Sequence, residues 1–208
     1  MTTDPKAPET RYHHGDLRAA LLKAGEAELA ERGYAGFTLR GTAKRAGVSH
    51  AAPAHHFRDA NALLTALAAR GFERLTAEMR AAQADAAPDP QAQLVASGVG
   101  YFRFGTANPA LLQLMFGRGR SAPEDPELQR SGAEAFGILV GDMSAHAQLP
   151  ALQSEAGRRM IAAAWSIVHG FTMLAVSRRL AFMGDDDPAA LERHLAAIIA
   201  AAFPSGPR

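Results

Sequence analysis

The sequence of 208 residues contains no cysteine, and this absence excludes several classes of site. Disulfides, thiolate nucleophiles and cysteine-ligated zinc or iron–sulfur centres all require that residue. Aromatic residues are also sparse, at 7%, and runs of β-branched residues are few. Because alanine and leucine are abundant instead, the composition favours helices over sheet. With no convincing strand pattern and no internal repeat, the sequence predicts an all-α protein.

The chain also lacks a strong net charge, since it has 22 basic and 21 acidic side chains. Residues 1–58 are mildly basic, with nine basic and six acidic residues and five of the eight histidines. This excess suits an anionic partner without identifying one.

No apolar stretch typical of a secretory signal occurs at the N-terminus. The uncharged stretch 160–177 just reaches the length of a membrane span, but it contains Ser166, Thr172 and His169 and lies among amphipathic helices. We therefore expect a helix buried in a bundle, no membrane partner and a cytoplasmic protein.

Helix-capping residues and helix breakers divide the chain into about nine helices. Gly33 and Gly47 are predicted to end the first two, and "PDP" at 88–90 marks the clearest break. A third, short helix is predicted over residues 50–57, a long one after residue 59, and later ones over about 91–107, 109–116, 127–147, 154–181 and 188–202. "GRGRSAPEDP" at 117–126 is predicted to be an irregular loop. The predicted N-terminal caps are Asp16, Thr38, Ser49, Asp59 and Asp187.

Three histidines, His50, His55 and His56, fall within seven positions of the stretch "AGVSHAAPAHHF". A metal-binding pair on a helix needs a spacing of three or four, whereas these residues are five, six and one apart. Asp59 is the nearest additional ligand, at the edge of the stretch, so we expect no metal site. Two short helices joined by "AGVS" indicate a helix-turn-helix instead, although a plain corner of a helical bundle has the same outline.

The detailed pattern around this turn resembles the TetR (tetracycline-repressor-like) family of bacterial transcriptional regulators. The resemblance rests on "GYAGFTLRGTAKRAGVSHAAPAHHFRDANALL" at 33–64 and on "YHHGDLRAALL" at 12–22. It implies an N-terminal three-helix DNA-binding module over residues 1–58 and a helical ligand-binding and dimerisation domain over residues 59–208. It also implies a homodimeric repressor that binds a palindromic operator in double-stranded DNA and is released by a small molecule.

Carried over by position, the resemblance implies DNA contacts around the turn. Thr38 and Arg40 would meet phosphates or nearby bases, while the residues after the turn would enter the major groove and Phe57 would pack in the core. The predicted DNA-binding residues are Thr38, Arg40, Lys44, Ser49, His50, Ala51, Ala54, His55 and Arg58. Small side chains let a backbone approach phosphates closely, and cationic side chains supply donors.

Two positions depart from the family pattern. Ala54 stands where many members have an aromatic residue, usually tyrosine, and Ala60 stands where many have lysine. Both residues usually support phosphate contacts, so their absence keeps open an alternative, a helical dimer that has lost DNA binding and acts as an adaptor. An enzyme is the third hypothesis, but no nucleophile–base pair occurs at short spacing, and Asp185–Asp187 is predicted to be a loop and a cap. We expect no catalytic residues and no cofactor.

In the C-terminal part, "NPALLQLMFG" (108–117) and "AAWSIVHGF" (163–171) resemble one C-terminal type of the family, marked by a Trp and a His-Gly pair. Trp165 and His169 are four residues apart and share a helix face. The sequence therefore predicts a ligand pocket, although core packing of Trp165 and His169 explains the same pattern. The predicted ligand-binding residues are Phe102, Leu112, Met115, Phe116, Trp165, His169 and Met173.

The last two long helices carry apolar stripes that predict a homodimer. In a twofold pair they would form a four-helix interface and place two recognition helices one DNA turn, roughly 34 Å, apart. The stripe residues expected to be exposed are Ile161, Val168, Ala175, Leu191, Leu195, Ile198 and Ile199.

Overall fold

A computed structural model describes residues 14–117, 122–184 and 187–205, and within these ranges the chain is all-α, as predicted. The α-helices are α1 (His14–Gly36), α2 (Leu39–Ala46), α3 (Ala60–Ala84), α4 (Pro90–Ala107), α5 (Pro109–Phe116), α6 (Pro126–Ala147), α7 (Glu155–Val176) and α8 (Pro188–Ala202). Short 3-10 helices lie at Ala52–His55, Ala151–Gln153 and Ala181–Met183. Parts of the predicted loop 117–126 and of the Asp185–Asp187 run lie outside the described residues.

Side-chain caps determine where most of these helices begin, because a cap oxygen satisfies a backbone N–H that has no partner within the helix. Thr38 Oγ1 accepts a hydrogen bond from the Gly41 N–H at 2.9 Å, and Gly47, with φ of 68°, ends α2 as predicted. Gly33, with φ of 64°, has a non-helical backbone and kinks α1, so the first regular helical segment ends at the predicted position and a second segment continues to Gly36. α1 also begins at His14, two residues before the predicted cap. The capping side chains are Thr38, Asp59, Asp89, Asp125, Ser154 and Asp187.

The segment after the turn differs from the prediction. A helix over residues 50–57 capped by Ser49 was expected, but the chain forms a 3-10 helix at Ala52–His55, preceded by Ala51, which makes no side-chain capping bond. Its backbone bonds have the three-residue spacing of a 3-10 helix, and the N–H groups of His56 and Phe57 both bond to the Pro53 carbonyl. Pro53 itself has no N–H to donate to an α-helical ladder.

Two buried clusters, which meet at α4, form the core. The first joins α1, α3, α4 and α5, and the second joins α4, α6, α7 and α8. α3 and α4 cross closely at Gly100, where an added Cβ would lie 2.7 Å from the Glu78 carbonyl oxygen. Because a single methyl group does not fit there, Gly100 allows the two backbones to touch.

The last two long helices bury much of the stripe that was expected to be exposed. Ile161, Leu191, Leu195 and Ile199 are buried in the second cluster, against α4, so the prediction of their exposure is wrong. By length and composition α7 is the described helix that could cross a membrane, and 22% of its most apolar stretch is buried. From residue 162 onward its outward face includes the exposed Ala162, Ala163, Ser166 and Leu174 and the half-buried Gly170, and Ala197 and Ile198 of α8 are exposed too.

Candidate functional site

The turn between α2 and the first 3-10 helix brings the nine predicted DNA-contacting residues to the surface. Each of the nine is exposed, whereas Phe57 is 4% exposed and packs in the core. The guanidinium carbon of Arg18 lies over the Phe57 ring, 5.7 Å from its centroid. Arg40 and Lys44 make no ion pair with any described residue. Their charges are therefore available to an external anion.

The neighbouring cation Arg45 is already engaged. Its Nε donates to Glu28 at 2.6 Å, and its Nη2 donates to Glu31. Those hydrogen bonds lower the pKa of Glu31 and raise the pKa of Arg45. Glu28 occupies the space above Gly41, where an added Cβ would lie 2.0 Å from its Oε1, so the glycine makes room for the carboxylate. Arg45 therefore joins α1 to α2 and is not a free donor.

His56 and Arg58 flank the core residue Phe57 and differ from each other. Nε2 of His56 is buried and has no hydrogen-bond partner among the described residues, so this histidine is turned inward. The Arg58 side chain is 88% exposed and its Nε donates to Asp59 at 3.1 Å. This hydrogen bond and the Ala62 N–H together lower the pKa of Asp59, the Ala62 N–H being the larger cause.

A cavity of about 160 Å³ lies among α3, α4, α6, α7 and α8, with the end of α5 at one side. Within the described part of the chain its wall has no charged residue and six aromatic ones, and polar side-chain atoms come from Ser97, Tyr101 and Trp165. The lining residues are Phe72, Leu75, Met79, Leu94, Ser97, Gly98, Tyr101, Phe116, Gly132, Ala135, Phe136, Leu139, Ala164, Trp165, Val168, Ile199 and Phe203. Such a concave apolar site with a few polar groups is the usual form of a small-molecule pocket.

Aromatic rings pack against one another along one side of the cavity, edge to face around Phe116 and tilted by 46° between Phe136 and Trp165. The Phe116 ring lies 5.4 Å from Phe72 and 6.1 Å from Trp165, and Phe136 lies 5.6 Å from Trp165. These separations are in the favourable range for aromatic pairs. Trp165 is 40% exposed, so it connects the cavity to the surface rather than filling the core.

Two of the three polar side chains of the wall, Ser97 and Tyr101, form hydrogen bonds within the protein. The Tyr101 hydroxyl lies 2.7 Å from His169 Nδ1, and burial raises the pKa of Tyr101 and lowers that of His169. The Ser97 hydroxyl donates to Asp142 Oδ2 at 2.5 Å, and Gln83 Nε2 donates to Oδ1 of the same carboxylate at 2.8 Å. Burial raises the pKa of Asp142 to about 6, despite those two hydrogen bonds.

The predicted ligand-binding residues are divided between cavity and core. Phe116 and Trp165 line the cavity. His169 does not line it but lies within hydrogen-bonding distance of the lining residue Tyr101. Phe102 lies on another side of α4, against Phe171 at 5.9 Å. Leu112, Met115 and Met173 pack in or against the first cluster and do not line the cavity.

Sequence reasoning missed Tyr101, although the signal was present. Leu94, Ser97 and Tyr101 recur at spacings of three and four, which places them on one face of α4. Phe102 was predicted instead, but adjacent residues on a helix point about 100° apart, so Phe102 faces away from the cavity that Tyr101 lines.

A polar link joins the first helix to the helices around the cavity. Arg74 of α3 donates from Nη1 to Glu26 of α1 at 2.9 Å and from Nη2 to Asn108 at 2.7 Å. Asn108 precedes α5, and Phe116 at the other end of α5 lines the cavity. Arg74 of α3 is therefore hydrogen-bonded both to α1 and to the residue that precedes α5, and the far end of α5 lines the cavity.

Comparison with known proteins gives two family matches. Residues 94–198 match the family described as tetracyclin repressor-like, C-terminal domain, and residues 21–67 match bacterial regulatory proteins of the tetR family. No curated protein matches the chain.

Several solved structures share the fold. A protein of unknown function from Rhodococcus sp. RHA1 is 32% identical, with a TM-score of 0.77 over 94% of this chain and 99% of its own. A bacterial regulatory protein in the tetR family from Rhodococcus RHA1 is 18% identical, with a TM-score of 0.69 over 92% and 98%. The transcriptional regulator FadR from Bacillus subtilis, solved in complex with stearoyl-CoA, is 15% identical, with a TM-score of 0.63 over 91% and 99%.

Proposed function

Because the chain belongs to the TetR family of bacterial transcriptional regulators, and so is a regulator rather than an enzyme, we propose that it is a cytoplasmic homodimeric repressor. It binds a palindromic operator through residues 1–58 and is released from it when a small molecule enters the domain formed by residues 59–208. The observation that carries the proposal is the exposure of all nine predicted DNA contacts, which lie on α2, on the first 3-10 helix and on the segments beside them.

The DNA-binding part of the proposal is supported by the charge and shape of the exposed turn. Arg40 and Lys44 are unpaired within the described residues and would bind phosphates. Ala51 and Ala54 are exposed and small, so the 3-10 helix can approach the groove closely, and His50 and His55 donate to bases or phosphates there.

The dimer is supported by the outward face of α7 and α8. Ala163, Ser166, Gly170 and Leu174 follow one another at spacings of three and four, and an added Cβ at Gly170 would meet no atom within 4 Å. A second copy of the chain would cover this apolar face by the same residues on both sides of a twofold axis.

Effector control is supported by the cavity and by the Arg74 link. FadR binds stearoyl-CoA and shares the fold, which makes a ligand-responsive regulator a reasonable model for this chain. A ligand that displaces Phe116 would move α5 and with it Asn108, which shares Arg74 with Glu26 of α1. Such a ligand shifts the equilibrium between a DNA-binding and a DNA-free conformation of the dimer. The size of that shift is limited by the difference between its affinities for the two conformations.

The test is the fluorescence anisotropy of labelled DNA from upstream of the gene, titrated with protein at two salt concentrations and against scrambled DNA of equal length. We expect tighter binding to the upstream fragment and weaker binding at the higher salt concentration. Equal and feeble binding to both DNAs would contradict the repressor proposal for that promoter. It would favour the adaptor alternative, which rests on Ala54 and Ala60 and to which the structure adds the short 3-10 helix.

A further inference from the structure

The chemistry of the cavity wall defines the kind of molecule that fits it. We propose that the effector is a small neutral aromatic compound, about one ring in size, that carries one hydroxyl or carbonyl group. This inference rests on the proposed function, since it names the ligand of the same cavity.

The volume sets the size of the ligand. A cavity of about 160 Å³ is close to the roughly 150 Å³ of an engineered apolar cavity that holds benzene. Pockets that bind drug-sized ligands measure about 300–1,000 Å³. A long acyl chain such as that of stearoyl-CoA would therefore require the helices to separate, whereas a single substituted ring fits the space that is present.

The wall favours an aromatic ligand over an aliphatic one of equal size. Phe116 already packs edge to face against Phe72 and Trp165, and Phe136 packs against Trp165 in a tilted arrangement. A further ring placed against them gains both apolar burial and the edge-to-face attraction of aromatic pairs.

Among the residues that the structure describes, the cavity wall contains no cation, and this disfavours an anionic ligand. None of the seventeen lining residues is charged, and the carboxylate of Asp142 lies directly behind Ser97. On the α6 side, near Gly132, the guanidinium of Arg130 is held by Glu73 and Glu134, each at 2.9 Å. A carboxylate in the cavity would lose its hydration and gain no partner, which is costly in an apolar site.

Tyr101 and His169 supply one site for a neutral polar group. Burial keeps both side chains uncharged near neutral pH, because it raises the pKa of the phenol and lowers that of the imidazole. The Tyr101 hydroxyl that faces His169 uses one donor or acceptor in that contact and keeps acceptor capacity for another group. A ligand hydroxyl can donate to it, or a ligand carbonyl can accept from it when the imidazole is the donor.

Trp165 is an intrinsic fluorescent probe of ligand binding, since it is the single tryptophan and lines the cavity. Trp165 fluorescence would be followed without DNA, with excitation to the red of phenol absorption, during titration with p-cresol, toluene, benzoate and stearoyl-CoA. We expect saturable changes with p-cresol and, more weakly, with toluene, and none with benzoate at neutral pH. Tighter binding of benzoate or of stearoyl-CoA than of p-cresol would overturn the inference.

A pair of glycine substitutions in α6 separates cavity binding from surface binding. Gly132 lines the cavity, and a Cβ there would first meet Phe72 at 3.9 Å, so Gly132→Leu fits the fold and fills the space. Gly137 lies in the same helix and has no atom within 4 Å of its added Cβ. Gly132→Leu should abolish the p-cresol signal, and Gly137→Leu should retain it, with both variants folded by circular dichroism. Equal binding by both variants would place the ligand elsewhere and overturn the inference.

Tyr101→Phe tests the polar contact. It should weaken p-cresol binding roughly two- to tenfold, the effect of one neutral hydrogen bond, and leave toluene binding unchanged. Equal loss for both ligands would show that the substitution altered packing and that the hydroxyl is not the anchor.

The failure of this inference is distinguishable from failure of the proposed function. Binding of p-cresol without any effect on DNA anisotropy would support the ligand assignment and contradict effector control. Sequence-preferring DNA binding combined with no p-cresol binding would support the regulator and overturn the ligand assignment.

Discussion

The buried carboxylate of Asp142 accepts a hydrogen bond from the Ser97 hydroxyl at 2.5 Å and has no cationic partner among the described residues. Its second hydrogen bond comes from the amide of Gln83. Two neutral donors do not compensate fully for the loss of water around a charge, so burial raises the pKa of Asp142 to about 6.

Asp142→Asn should stabilise the protein near neutral pH. An unfolded aspartate titrates at about 3.9, so the folded chain binds this proton more readily than the unfolded chain does. The stability contributed by Asp142 is therefore present below about pH 4 and is lost as the pH rises through about 6. We expect Asp142→Asn to raise the free energy of unfolding near pH 7 by about 1–3 kcal/mol and to change it little near pH 4.

Urea denaturation over a series of pH values measures this effect. Glu124→Gln, at an exposed acid with no hydrogen bond or ion pair to a described residue, is the control and should not alter the pH profile. A uniform loss of stability in Asp142→Asn across the series would show that its hydrogen bonds outweigh the burial of its charge.

Two glycine-to-alanine substitutions should change stability in opposite directions. At Gly100 the new methyl group would overlap the Glu78 carbonyl, so Gly100→Ala should lower the free energy of unfolding by about 1–3 kcal/mol. At Gly141, also within a helix, no atom lies within 4 Å of the added Cβ. Gly141→Ala should therefore raise stability by about 0.5–1 kcal/mol through helix propensity. Chemical denaturation of both variants measures the difference, and stabilisation by Gly100→Ala would contradict the close crossing of α3 and α4.

Ser166→Arg should dissociate the proposed dimer. Ser166 lies on the exposed apolar face of α7, where a twofold axis would bring two new charges together. Sedimentation equilibrium should give the mass of a monomer for this variant and of a dimer for the parent chain. Gly137→Arg places the same charge on an exposed position of α6 and should remain dimeric. A dimeric Ser166→Arg variant would place the interface elsewhere.

Arg40→Ala and Lys44→Ala should weaken binding to all DNA sequences alike. If each side chain neutralises one phosphate, each substitution reduces the slope of log affinity against log salt by about one. Arg80→Ala, an exposed cation on α3, is the control and should leave the slope unchanged. Anisotropy titrations at several salt concentrations provide the slopes. Unchanged slopes for Arg40→Ala and Lys44→Ala would remove these residues from the DNA interface.

The starts and ends of several helices could be predicted from the sequence because they depend on neighbouring residues. Thr38, Asp59 and Asp187 bond to N–H groups three positions along the chain, and Gly47 adopts the left-handed conformation that ends α2. Such interactions lie within a window of a few residues. The short motif around the turn therefore predicted the fold class and the family.

Tertiary structure decided which residues line the cavity and which residues form the outward face of α7. Tyr101 faces the cavity and Phe102 the opposite core because of how α4 is rotated between its neighbours, and composition carries no information on that rotation. Glu28 and Arg45 form their ion pair across seventeen positions of sequence. The stripe residue Ile161 is buried on α4 while Ser166 is exposed, since burial depends on which helices pack together. Sequence thus determined the local elements and the family, and packing determined which side chains meet.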